Sequence, residues 1–286
     1  MVRMGTMVCT AAALSCVAVG VGGCGGGSPD PAAPSANAHE RMDFAVVGVE
    51  ARIGRDDVLG SGFVIDGERG LVLTAAHTVW GAQSLKLSTG LGVLHGRIVA
   101  RAPCDDLAVL EIYPRIPGLS ALPTAPAGST GTQLLRSLGR RHTDRRSEGA
   151  ALATIPVRTT GRLPIASGGA SLAATGVPLD SPLVPEVSGG PVVDQAGRLV
   201  GMAQAMNAPR VDGPGVAVPW VEIRKRLDQL QPGPRSVYVG WANQYRCVGR
   251  QDAYAREMHP GYRLADARFN VPVAPTRPPG MEGMDG

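Results

Sequence analysis

Three short stretches carry side chains able to do acyl-transfer chemistry. Leu71-Val-Leu-Thr-Ala-Ala-His77 is an apolar run that ends in two alanines and a histidine. Small residues let the imidazole lie against the backbone at a fixed angle, and a group that titrates near neutrality suits general-base work. Cys104-Asp105-Asp106-Leu107-Ala-Val-Leu110 sets a carboxylate directly before a second apolar run. There it can be partly buried, accept the imidazole Nδ1–H and stabilise the imidazolium formed during attack. Val187-Ser188-Gly189-Gly190-Pro191 puts a hydroxyl before two glycines, which permit backbone angles closed to other residues and a close approach of a substrate chain. A hydroxyl is a weak nucleophile until an adjacent base activates it. Each stretch alone is commonplace. Their joint occurrence, in the order His77, Asp105 or Asp106, Ser188, is much more specific, since it supplies a candidate base, orienting acid and nucleophile together.

The elements that must bring these residues together read as short strands. Apolar runs at 43–50, 58–65, 71–76, 84–88, 92–100 and 106–112 are broken by Gly and Asp. A Pro-rich connector covers 114–128, and a second set follows at 131–138, 150–159, 191–193, 197–203 and 215–218. Two groups of closely spaced strands predict an all-β protein of two small antiparallel barrels. One helix is expected over 219–230, where Trp220, Ile223, Leu227 and Leu230 share a face and Pro219 sits at the start.

The stretch from about 43 to 230 resembles the chymotrypsin/trypsin-like serine proteases, and most the bacterial HtrA-type branch. The resemblance rests on Gly60-Ser-Gly-Phe-Val-Ile65, Leu73-Thr-Ala-Ala-His77, Asp106-Leu-Ala-Val-Leu110, Ser188-Gly-Gly-Pro-Val192 and Gly215-Val-Ala-Val-Pro219, in that order. It implies two six-stranded barrels with the active site between them, and it implies the triad His77, Asp106 and Ser188. It also implies an oxyanion hole from the backbone N–H groups of Glu186 and Ser188. The family usually has glycine at the position of Glu186 and an acid or asparagine at that of Val187. A side chain at 186 resists the required peptide orientation, and losing one oxyanion donor costs about 10²–10³ in rate. The primary specificity pocket is expected around Pro182, Leu183 and Ala203 to Met206. No charge stands there, so a small or apolar P1 residue is predicted.

The ends of the chain address location. Arg3 precedes the uncharged residues 7–23, and the segment closes on Val21-Gly22-Gly23-Cys24. This reads as a signal peptide over 1–23 ending in a lipobox-like motif, with Cys24 lipidated and anchored to the outer face of the membrane. The alternative is an ordinary secretory signal with an incidental cysteine. Residues 24–41 then read as a flexible tether, 42–232 as the protease domain, 233–270 as an aromatic-rich extension packed on it, and 271–286 as a disordered tail. With Cys9 and Cys16 removed, Cys104 and Cys247 are the one possible intramolecular pair in an oxidising compartment; the alternative is two unrelated thiols. Such a bond would pin the extension two residues from Asp106, where it would stabilise the triad region or partly cover the cleft.

Composition bounds the remaining classes. A net charge of +4 rests on 28 basic residues, of which only Lys86 and Lys225 are lysines. Arginines spread this evenly do not make the concentrated face that nucleic acid needs. Arg136, Arg140, Arg141, Arg145 and Arg146 cluster and read as a solvated loop, or else as a patch for anionic polymers. His39, His95, His142 and His259 have no metal-ligand spacing, so neither a metal nor a cofactor is expected. The function predicted is an exported serine endopeptidase acting on protein or peptide substrates. The alternatives are a catalytically weak or inactive protease-fold binding lipoprotein of the cell envelope, suggested by Glu186 and Val187, and an esterase using the same triad.

Overall fold

Six largely buried strands close on themselves: β1 (Val46–Ile53), β2 (Asp56–Asp66), β3 (Leu71–Ala75), β4 (Ser84–Thr89), β5 (Gly92–Ala102) and β6 (Leu107–Tyr113). All neighbours are antiparallel, in the order β1-β2-β3-β6-β5-β4, with β4 pairing back onto β1. Val49, Ile53, Val72, Leu87, Leu110 and Ile112 fill the barrel. The computed structural model describes residues 36–126, 134–141, 150–160, 176–205 and 215–228; beyond these it describes 230–231, 237–238, 247, 252–253, 255–257 and 259. The signal segment 1–23, Cys24 and the tail 271–286 lie outside the described residues.

The second set of strands is a six-stranded sheet, not the closed barrel expected. Its order is β8 (Ala151–Arg158), β7 (Leu134–Arg141), β10 (Pro191–Val193), β11 (Leu199–Gln204), β12 (Val216–Pro219) and β9 (Val177–Pro178). The reason lies in β9, which is two residues long. The two edges still approach: Thr159 and Leu179 form an isolated bridge, and Asp180 N–H donates to Arg158 O at 2.8 Å. Closure is thus reduced to a staple, because a two-residue strand cannot carry a ladder.

Two helices bracket the strands. Helix α1 (Ala36–Ala45) precedes β1 and takes the last six residues of the segment expected to be tether. Helix α3 (Trp220–Leu227) follows Pro219, which caps it in extended conformation, and it ends before Leu230. The predicted helix is therefore right in place and too long at its end, where Leu230 instead pairs in a short strand, β13 (Leu230–Gln231), with β14 (Val237–Tyr238).

One apolar cluster joins these parts. Met42 of α1, Phe63 and Leu73 of the barrel, Leu138 and Met202 of the sheet and Ile223 of α3 pack together, all essentially buried. Phe63 meets the edge of Trp220 at a centroid distance of 6.1 Å. Every residue of β3 is buried, since one face looks into the barrel and the other onto this cluster. That packing sets the end of β3, and the histidine beyond it, against the second sheet.

Candidate active site

β3 runs directly into the four-residue helix α2 (Ala76–Val79), whose second residue is His77. Ala75 and Ala76 are fully buried, so the histidine is held close to the barrel wall by residues too small to displace it. β6 begins at Leu107, and its pairing with β3 sets Leu107 opposite Ala75. Asp106 lies one step before that pair. Its backbone has φ +54°, a left-handed conformation that Asp tolerates better than most residues and that here turns the carboxylate toward His77. Asp106 accepts three hydrogen bonds: Ala76 N–H donates to its carbonyl at 3.0 Å, His77 N–H to Oδ1 at 2.8 Å and His77 Nδ1–H to Oδ2 at 2.7 Å. Asp105, the alternative acid, is buried elsewhere, with its carboxylate 3.6 Å from Arg226 Nε.

Ser188 ends a 3-10 turn, Pro185–Val187, at the entrance to β10. Its hydroxyl lies 3.1 Å from His77 Nε2 and accepts Ala205 N–H at 3.2 Å. With Nδ1–H committed to Asp106, Nε2 is the basic nitrogen and the hydroxyl donates to it. Gly189 has φ +83°, and a Cβ there would meet Ser61 O at 2.4 Å, so glycine is required at this position twice over. Burial acts first on His77 and would lower its pKa; the charge of Asp106 and its hydrogen bond more than offset this, and the pKa is raised above 6.5.

The residues expected to form the oxyanion hole stand differently. Ser188 N–H donates to Pro185 O at 3.0 Å, and Val187 N–H to Val184 O at 3.1 Å. In this conformation the Ser188 amide is spent within the turn. Val187, which lacks the usual acid, is fully buried in an apolar cluster with Leu135, Leu183 and Val192. Of the expected pocket residues, Leu183 is buried and packs where a Cβ on Gly215 would fall, 2.3 Å from its Cγ. Pro182 is exposed, and Met206 lies outside the described residues.

Residues 60–202, half of the chain, match the trypsin-like peptidase domain. The chain belongs to that family. A curated relative, the putative serine protease HhoA of Synechocystis, is 29% identical over 186 residues, which are 61% of this chain and 43% of that protein. The chain thus spans less than half the length of that relative. Among solved structures, the active form of the Rv3671c protease from M. tuberculosis superposes with a TM-score of 0.58 at 21% identity, covering 72% of this chain and 91% of that one. The serine endoprotease of Yersinia pestis gives 0.54 at 21%, covering 67% and 64%. At these identities the likeness speaks for the fold.

Several residues of this trypsin-like domain were not singled out by sequence reasoning. Ser61 Oγ donates to Glu186 O at 2.6 Å and accepts Arg140 N–H at 2.9 Å, while Ser61 N–H donates to Ser188 O at 2.9 Å. Ser61 stood inside the Gly60-Ser-Gly62 motif, but nothing local marks its partners. The arginine cluster is also corrected. Arg136 and Arg140 are not in a solvated loop: they sit on β7, are buried, and donate to Gln195 O at 3.1 Å and to Val46 O at 2.8 Å. In the sheet Arg136 stands opposite Val193 and Pro156, and Arg140 opposite Leu152. Arg141 is exposed, whereas Arg145 and Arg146 lie outside the described residues. Cys104 and Cys247 are joined in a disulfide, with Cα atoms 5.0 Å apart.

Proposed function

We propose that this chain is an exported serine endopeptidase that cleaves peptide bonds through an acyl-enzyme. The observation that carries the reading is the unbroken chain of hydrogen bonds from Asp106 through His77 to Ser188, at 2.7 and 3.1 Å. His77 takes the Ser188 proton as the hydroxyl attacks the carbonyl carbon, and returns it to the leaving amine. Asp106 keeps Nε2 basic by holding Nδ1–H, and balances the imidazolium that forms. Water then repeats the sequence on the acyl-enzyme.

The oxyanion of each tetrahedral intermediate is received by the Glu186 and Ser188 amides. Pro185 C=O and Glu186 N–H belong to one peptide. Turning that peptide over withdraws the carbonyl from Ser188 N–H and swings Glu186 N–H to the same side. One rotation therefore supplies both donors, at the cost of one hydrogen bond, about 1 kcal/mol, and of whatever strain Glu186 carries where glycine would carry none. The closed turn is the resting state, and substrate binding opens it. The same closed turn is the observation on which the rival reading, a weak or inactive binding protein, rests. Leu183, Ala203 and Gly215 favour a small or apolar P1 residue. The N-terminal pattern around Cys24 favours an envelope lipoprotein, anchored outside the cell membrane.

A fluorophosphonate probe tests the assignment. Adduct mapped to Ser188 in the mature chain, and lost in His77→Ala, is the expected result. Glu186→Gly should label faster by roughly tenfold, the equivalent of removing 1–2 kcal/mol of backbone strain. A folded chain that never labels, with or without that substitution, would make it a binding protein.

A further inference from the structure

We propose that Ser61, aligned by Arg140 and through it by Asp43 of α1, is a positioning residue that holds the pivot about which the oxyanion turn opens. The proposal rests on the serine-peptidase reading above. Opening the turn requires the 185–186 peptide to rotate while the next peptide, 186–187, stays where it is. If both rotate, Glu186 N–H swings without a defined end point and no donor pair is assembled. The stationary peptide is gripped from two sides. Its carbonyl, Glu186 O, accepts the Ser61 hydroxyl at 2.6 Å. Its other end, Val187, is fully buried and backed by Gly139, where a Cβ would come within 2.9 Å of the Val187 Cα and 2.8 Å of the Ser61 Oγ.

The Ser61 hydroxyl is itself aimed. Because it accepts Arg140 N–H at 2.9 Å, its own proton is directed to Glu186, and each bond of such a chain polarises the next. Its carbonyl accepts Thr74 Oγ1 at 2.7 Å, three residues before His77, and its N–H holds Ser188 O. One residue thus ties the base strand, the nucleophile and the turn together. Arg140 cannot drift. Its guanidinium donates to Val46 O at 2.8 Å, Ala150 O at 2.9 Å, Asp43 Oδ1 at 2.6 Å and Asp43 O. A Cβ on Gly48 would stand 3.0 Å from the Arg140 Cβ. Of these anchors only the Asp43 side chain is substantially open to water, at 35% exposure, so it is the member whose removal lets water reach the guanidinium in place of the carboxylate.

The test compares the full chain with Ser61→Ala, Asp43→Ala and the double variant, reading fluorophosphonate labelling as kinact and KI, and amide exchange by NMR. Ser61→Ala should lower kinact at least about tenfold, short of the 10²–10³ that outright loss of a donor costs, with KI within about twofold. Asp43→Ala should act in the same direction and less, and the double variant should be no slower than Ser61→Ala, because both act along one path. Exchange at the Val187 and Ser188 amides should quicken in both single variants while the β1–β2 amides keep their protection. Unchanged or faster labelling in Ser61→Ala, multiplicative losses in the double variant, or unchanged exchange at 187 and 188 would each overturn the proposal. If Ser61→Ala does not fold, Asp43→Ala decides alone. If the wild type never labels but the variants show the exchange change, the peptidase reading fails and the relay stands; if wild type and variants label identically, the relay fails and the peptidase reading stands.

Discussion

At the residue scale, Asp106 does more than sit beside a histidine. It adopts φ +54° and receives the Ala76 and His77 amides as well as the imidazole, so the two peptides that lead into His77 and its ring are all held by one residue. Asp106→Asn keeps the shape and loses the charge, and an amide that donates to Nδ1 enforces the wrong tautomer. We expect kcat to fall by about 10⁴, as for such triads generally. The pH profile should move as well. His77 works as a base only when neutral, and its pKa is raised because Asp106 outweighs burial. The wild-type acid limb should therefore lie above 6.5, and in Asp106→Asn burial alone remains and the limb should fall below it. The linked stability has the opposite sense: a raised pKa stabilises the fold fully below 6.5, and this is lost as pH rises through the folded value. A pH–rate series on both chains, with thermal melts at each pH, reads the two effects separately. The hydrogen-bonded run from Asp106 through His77 to Ser188 was legible because each member carries its setting within a few residues. Ser61 was not, since its partners Glu186 and Arg140 are 125 and 79 positions away and a lone serine inside an apolar strand has no local signature.

At the element scale, short apolar runs broken by Gly and Asp placed most strands, since a strand buried on both faces reads as a continuous apolar run. What they did not encode was closure. The second sheet is held by Thr159 against Leu179 because β9 is two residues long, a property of backbone geometry rather than side-chain pattern. The C-terminal extension is likewise tied by specific contacts. Cys247 is bonded to Cys104, Trp80 Nε1 donates to the buried Asp252 at 2.8 Å, and Ala255 packs into the barrel core. Arg101 lies over the Trp80 ring at 5.3 Å. The disulfide closes a loop across 143 positions, and long loops gain most from closure, so opening it should cost about 2–4 kcal/mol. Cys104→Ser/Cys247→Ser should melt well below the parent, with slower Ser188 labelling because Cys104 is two residues from Asp106. An unchanged melting temperature would mean that the extension is held by its packing and by polar contacts such as Asp252 on Trp80 and His259 beside Asp56.

At the scale of the whole molecule, the N-terminal approach to the domain bears on where it works. Helix α1 begins at Ala36, which leaves the stretch from Cys24 to residue 35 as the connection to any lipid on that cysteine. A peptidase held by lipid on that cysteine would meet its substrates at the membrane surface. Two acyl chains suffice for stable anchoring where one does not. The expectation is therefore that the mature chain partitions into detergent and carries the mass of a diacylglyceryl group on Cys24. Cys24→Ala should appear in the aqueous phase without that mass. Its labelling rate should match that of the wild type, because the lipid governs where Ser188 meets substrate, not how it reacts. Equal partitioning of the two chains would instead assign residues 1–23 to an ordinary secretory signal and leave the domain free to diffuse.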